Sequence, residues 1–145
     1  MKRSLLVGLL FLFAATTAWA ADPVYTSRGV AIKGYDAVAY HLDEKPTKGS
    51  GDFAYSWNGA TWHFASAKNR ELFAGDPDKY APAYGGWCAY AMARGSTAKI
   101  DPNAFTLHDG RLFLNYSPGI QKKWLAKRDR FIADADKNYP EVVDR

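Results

Sequence analysis

One cysteine, three histidines and two methionines are all that 145 residues provide in thiol, imidazole and thioether groups. A single thiol excludes a disulfide framework within the chain and any zinc finger that needs several thiolates. There is no internal repeat and no low-complexity tract, and the length suits one ordinary domain but not two. With 48% apolar and 23% charged residues the composition is globular, which excludes a long disordered tail. Aromatic residues, at 15%, are plentiful, and they promise a core or a pocket built from rings.

Lys2 and Arg3 precede an uncharged stretch from Ser4 to Ala20 that is rich in Leu and Phe and ends in Ala18-Trp19-Ala20. A basic start, an apolar middle and small residues at the end are the layout of a secretory signal. The apolar run falls short of the roughly 20 residues needed to span a bilayer, so a retained anchor is only the alternative reading. Cleavage is expected after Ala20, which divides the chain into a signal peptide over 1–20 and a single domain over 21–145. The mature protein is then periplasmic or secreted, with no stable membrane anchor. Removing Lys2 and Arg3 from 19 basic residues leaves 17 against 15 acidic ones, a formal charge of +2. The basic residues Lys122, Lys123, Lys127, Arg128 and Arg130 are interrupted by Asp129, Asp134 and Asp136, as on a solvated helix face, and no nucleic-acid partner is expected.

Asn58-Gly59 and Asp109-Gly110 each sit between short apolar runs, and such pairs favour a two-residue type I′ hairpin turn. The first hairpin joins Phe53–Trp57 to Ala60–Phe64, placing Phe53 opposite Phe64, Tyr55 opposite Trp62 and Trp57 opposite Ala60. Alternation puts these on one face and His63 on the other. The second joins 105–108 to 111–116, with Phe105, Leu107, Leu112 and Leu114 on one face and His108 and Arg111 on a solvent-facing one. Val30 to Ile32 reads as a short strand. Asp36 and Ser66 read as helix N-caps, and Asp76-Pro77 opens a further short turn. Trp87 to Arg94 reads as a helix stopped by Gly95, with extended structure as the alternative. Ile120, Trp124, Leu125, Phe131, Ile132 and Ala135 mark an amphipathic C-terminal helix, preceded by Pro118-Gly119 and bounded by Pro140. The expected fold class is α+β, a small single domain of mainly antiparallel hairpins packed against several helices.

Trp62-His63-Phe64-Ala65-Ser66, followed by Asn69, Phe73, Pro77 and Tyr80, resembles the YHS domain, and Gly34 to Ala39 resembles that family's opening segment. The short domain covers 34–80, and the continuation through Tyr84-Gly85-Gly86-Trp87-Cys88-Ala89-Tyr90 to Leu112–Tyr116 is similar to an exported, single-domain branch. YHS domains also occur in copper-transporting ATPases and some phenol hydroxylases, so the resemblance implies a metal-binding role, with copper as the candidate ion. The family's thiol positions correspond to Ala39, Ala65 and Asn69, however, and alanine offers no ligand while an amide is a poor one for Cu(I).

Cys88 and Met92 are one helical turn apart, so with His63 they are the candidate copper ligands. The plainer reading of Cys88 is a small buried thiol, and a redox or interchain role is the third. Trp62, His63, Trp87 and Tyr90 are the candidate ligand-binding residues of a ring-lined pocket, although Tyr55, Trp57, Trp62, Trp87 and Tyr90 also read as core. His41 and His108 read as surface residues. No catalytic triad or paired-carboxylate motif is present, so an enzyme is the less favoured class. The leading expectation is an exported, non-enzymatic module for a small ligand or a metal, with a ligand-free structural or protein-interaction domain as the alternative.

Overall fold

A computed structural model of the chain describes Gly8, Leu10 and residues 19–144. The expected signal peptide over 1–20 therefore lies largely outside the described residues. From Ala21 onward the described residues form an α+β domain with two small sheets and six α-helices.

The first sheet has the order β1-β2-β4-β3, from β1 (Thr26–Ser27), β2 (Val30–Ala31), β3 (Ser50–Trp57) and β4 (Ala60–Phe64). Its pairs are antiparallel except β2 with β4, which is parallel. The turn at Asn58 (φ 51°) and Gly59 (φ 78°) has the two positive φ angles of the expected hairpin. Tyr55 pairs with Trp62 and Trp57 with Ala60, but Phe64 pairs with Ser50 rather than with Phe53. The register shifts between Ser50 and Ala54 because Gly49 runs against the His63–Phe64 backbone: a Cβ there would lie 2.5 Å from the His63 carbonyl carbon. A bulge of this kind leaves no local signature in the hydrophobic pattern.

The second sheet is the hairpin of β5 (Asp101–His108) and β6 (Arg111–Asn115). Leu112 and Leu114 face one core together with Phe105 and Leu107, as their alternation requires, but Phe113 on the opposite face is also fully buried. This face was expected to meet solvent. It carries a second core instead, in which Phe113 packs on Trp124 with ring centroids 5.1 Å apart and lies with Tyr84 and Met92.

Helices α1 (Ala37–Asp43) and α2 (Ala67–Gly75) follow the expected caps, α3 (Pro77–Tyr80) opens with Pro77 as expected but without a side-chain cap, and the helix expected over Trp87 to Arg94 is shorter, α4 (Ala89–Ala93), with Trp87 extended before it. Asp36 accepts from the Ala39 N–H and Ser66 from the Asn69 N–H. The single C-terminal helix that the periodicity suggests is two: α5 (Pro118–Ala126), capped by Ser117, and α6 (Arg128–Val143), broken at Lys127. Pro140 does not end α6. The helix runs through it because Val142 is buried in the second core, which compensates for one missing backbone hydrogen bond.

Candidate functional site

The candidate metal ligands do not converge. Cys88 is 1% exposed and belongs to the first core, with its thiol directed at the Asn115 side-chain oxygen at 3.5 Å. His63 lies on the other face of β4, its Nδ1 3.5 Å from where a Cβ on Gly34 would stand. Met92 is buried one turn after Cys88 but belongs to the second core. Among the described residues no group of three His, Cys, Asp or Glu side chains is arranged to hold a metal ion.

Ala39, Ala65 and Asn69 do converge, and they surround Asp36. The Asp36 side chain is fully buried. Its Oδ1 accepts from the Ala39 N–H at 3.0 Å, and its Oδ2 accepts from the Ala65 N–H and the Asn69 side-chain amide, both at 2.8 Å. A buried carboxylate is tolerable only when its lone pairs are matched in this way. The three positions matched to the family's thiols are thus closed around a carboxylate that is already satisfied, and nothing among them suits a soft ion. The residues present do not fit copper here.

The ring residues divide in the same manner. Trp62 is 1% exposed, stacks near Phe73 (5.0 Å) and donates its Nε1–H to the Trp57 carbonyl at 3.0 Å. Trp87 packs on Tyr25 and donates to the Asp22 carbonyl, while Tyr90 meets Phe131 edge-on. Each is a half-buried or buried packing residue in its own neighbourhood, and none shares a cavity with the others. His41, expected on the surface, is half-buried in α1, where its Nε2–H donates to the Tyr80 carbonyl at 3.1 Å. His108 is also partly covered, with Nε2 3.2 Å from Asp109 and 3.8 Å from Asp129.

A half-open cleft of about 470 Å³ lies elsewhere, where the tips of the two hairpins approach the Pro82–Gly85 turn. Trp57 and Asn58 come from the first hairpin, Gly110 and Arg111 from the second, Asp78 and Lys79 from α3 and Tyr139 from α6. Tyr84 (φ 60°) and Gly85 (φ 61°) hold the left-handed conformation in its wall. The strain at Tyr84 is enforced by packing: a Cβ on Gly85 would stand 1.8 Å from the Pro23 carbonyl oxygen, so the N-terminal segment is laid directly on this turn.

Arg111 is the cation of the cleft that is fixed in place, beside Asp78 and Lys79 of α3. Its guanidinium stacks over Tyr84 (5.8 Å) and Phe113 (5.0 Å) and makes a two-pronged pair with Asp136 at 2.9 and 3.2 Å. Two of its five N–H donors are thereby engaged. The Tyr84 hydroxyl donates to Asp136 as well, at 2.9 Å. Burial and this acceptor push the Tyr84 phenol far above its ordinary range. Burial would raise the Asp136 carboxyl too, but hydrogen bonds from Arg111 and Tyr84 and the charge of Arg111 outweigh it and hold the carboxyl below its usual value. The arrangement presents a fixed cation beside ring faces, which is chemistry for an organic anion. Sequence patterns do not show it, because Tyr84, Arg111 and Asp136 are each more than 20 residues apart and join only through the packing of the Pro82–Gly85 turn, the second hairpin and α6.

The family model for the YHS domain matches residues 38–84, so that segment is similar to the YHS domain. The matched segment runs from α1 to the Tyr84 turn, four residues further along than the 34–80 core expected from the motif. No curated protein and no solved structure matches the chain.

Proposed function

We propose that the protein is exported, loses residues 1–20 and serves as a non-enzymatic binding module for a small organic anion, held in the cleft between the hairpin tips. The observation that carries this reading is Arg111: it is anchored by Asp136, flanked by rings and left with unengaged donors at the wall of a cleft whose volume suits a small ligand. A carboxylate would take the remaining guanidinium donors, and the faces of Trp57 and Tyr84 would take an apolar ring. Binding rather than catalysis is favoured because no histidine or cysteine lines the cleft and its tyrosines, Tyr84 and Tyr139, are driven upward by burial, away from neutral pH.

Benzoate is a suitable probe, with benzyl alcohol as its neutral counterpart. Benzoate is expected to quench tryptophan fluorescence at Trp57 saturably, benzyl alcohol to bind weakly, and Arg111→Ala to weaken benzoate about tenfold or more. Equal binding to wild type and Arg111→Ala would overturn the reading, and no binding of either probe would favour a ligand-free interaction domain. Copper has less support, since Cys88, Met92 and His63 lie apart. Native mass spectrometry after Cu(I) loading is expected to show the metal-free mass.

A further inference from the structure

Asp78 of α3 is exposed and lines the same half-open space as Arg111, yet it has no partner for its charge among the described residues. The ion pairs found there join His108, Arg111, Arg128 and Arg130 to Asp109, Asp129, Asp134 and Asp136, and Asp78 enters none of them. Lys79, next along α3, does not face it, because adjacent residues of a helix point about 100° apart. The Lys79 ammonium lies over the Tyr80 ring instead, 5.2 Å from the centroid. Asp136 is the contrasting case, a carboxylate already held by Arg111 and the Tyr84 hydroxyl.

Arg111 and Asp78 are thus opposite charges in one opening that do not pair with each other. The guanidinium is anchored on Asp136 and keeps unengaged N–H donors. The two charges come from separate elements, Arg111 from the start of β6 and Asp78 from α3, and Trp57, Ala81, Pro82 and Tyr84 give the cleft its apolar lining. A simple anion satisfies only the first charge and is repelled by the second. We infer that the cleft is built for a zwitterion, an amino carboxylate with an apolar body, whose carboxylate is taken by Arg111 and whose ammonium is taken by Asp78. Asp78 is then a specificity residue: it attracts the ammonium and disfavours a second negative charge, so that selection works by repulsion as well as by attraction. This inference rests on the cleft reading and adds to it the class of ligand.

Benzoate, 4-(aminomethyl)benzoate and terephthalate test it, because they share a ring and one carboxylate and differ in the group opposite, which is hydrogen, an ammonium or a second carboxylate at neutral pH. At low salt, 4-(aminomethyl)benzoate should bind about fivefold tighter than benzoate, the range of one solvent-exposed ion pair, and terephthalate should bind more weakly than benzoate. Asp78→Asn keeps the shape of the side chain and removes its charge. It should cancel the advantage of 4-(aminomethyl)benzoate and raise the affinity for terephthalate, two changes of opposite sign that a loss of folding or of cleft shape does not produce. Benzoate binding with 4-(aminomethyl)benzoate no tighter, or an advantage that survives Asp78→Asn, would overturn the zwitterion while the organic-anion cleft stands. Terephthalate binding tightest of the three, and weakened by Lys79→Ala, would overturn it in favour of a dianion. Binding of none of the three would overturn both readings.

Discussion

Asp36 and Asp136 are both acidic side chains held by hydrogen bonds, and they behave in opposite ways. Asp36 is fully buried, has no cation within its set of partners and uses both oxygens on two backbone amides and one side-chain amide. Asp136 is half-exposed and shares Arg111 and Tyr84 at the edge of an open cleft. The first arrangement lies in the N-terminal half, around the positions where the YHS resemblance places thiols. The second joins the end of the matched segment, at Tyr84, to the hairpin and helix beyond it. The contrast teaches that the positions matched by the resemblance to thiols here hold the fold together, while the cleft proposed for a ligand sits at the seam with the C-terminal half.

Breaking the closed side should have the largest effect. Asp36→Ala would leave the Ala39 and Ala65 N–H groups and the Asn69 amide buried without acceptors, and a loss of about 4 kcal/mol in denaturant unfolding is expected. Asp36→Asn keeps one acceptor but aims an amine at a donor, and about half that loss should follow. Gly85→Ala comes next: with the new methyl 1.8 Å from the Pro23 oxygen and φ at 61°, roughly 3 kcal/mol should be lost, and the Tyr25–Gly85 hydrogen bond should show faster amide exchange.

The open side should tolerate change in stability and lose function instead. The Arg111 and Asp136 side chains are 42% and 46% exposed, so Arg111→Ala should cost less than about 1 kcal/mol while abolishing most benzoate affinity. The pH profile sharpens the distinction further. Because the folded-state value of Asp136 is depressed, its contribution is present above the ordinary carboxylate range and is lost as pH falls through the folded value; Asp136→Asn should flatten the acid limb below about pH 4. His41 is lowered from 6.5 chiefly by burial, with Lys79 adding to the effect and the Tyr80 carbonyl opposing it. The unfolded chain then binds that proton more readily, so stability should decline as pH falls below about 6.5, and His41→Gln should remove this smallest of the effects.

Local chemistry made much of the fold legible. Asn58-Gly59 and Asp109-Gly110 specify their turns, Asp36 and Ser66 their caps, and alternation alone places His63 opposite Trp62. The bulge that displaces Phe53 from Phe64 and the break at Lys127 were hidden, because each answers to a distant surface: the Gly49 backbone approach in one case, the second core in the other. The candidate site was legible only negatively. Alanine at 39 and 65 removes the thiols at a glance, but the second oxygen of the Asp36 cap reaches Ala65 and Asn69 across 29 and 33 residues, and the Tyr84, Arg111 and Asp136 grouping spans 52. Aromatic abundance pointed toward rings without distinguishing core from cleft, and Trp57 is the one member of the expected ring set that lines the opening.

An amide-resolved NMR titration of the chain beginning at Ala21 with benzoate tests the account most directly. Shifts should gather at Trp57, Asn58, Tyr84, Gly110 and Arg111, leave Ala39, Ala65 and Asn69 unmoved and vanish in Arg111→Ala. Shifts centred on Ala39, Ala65 and Asn69, or a response unchanged by the loss of Arg111, would contradict it.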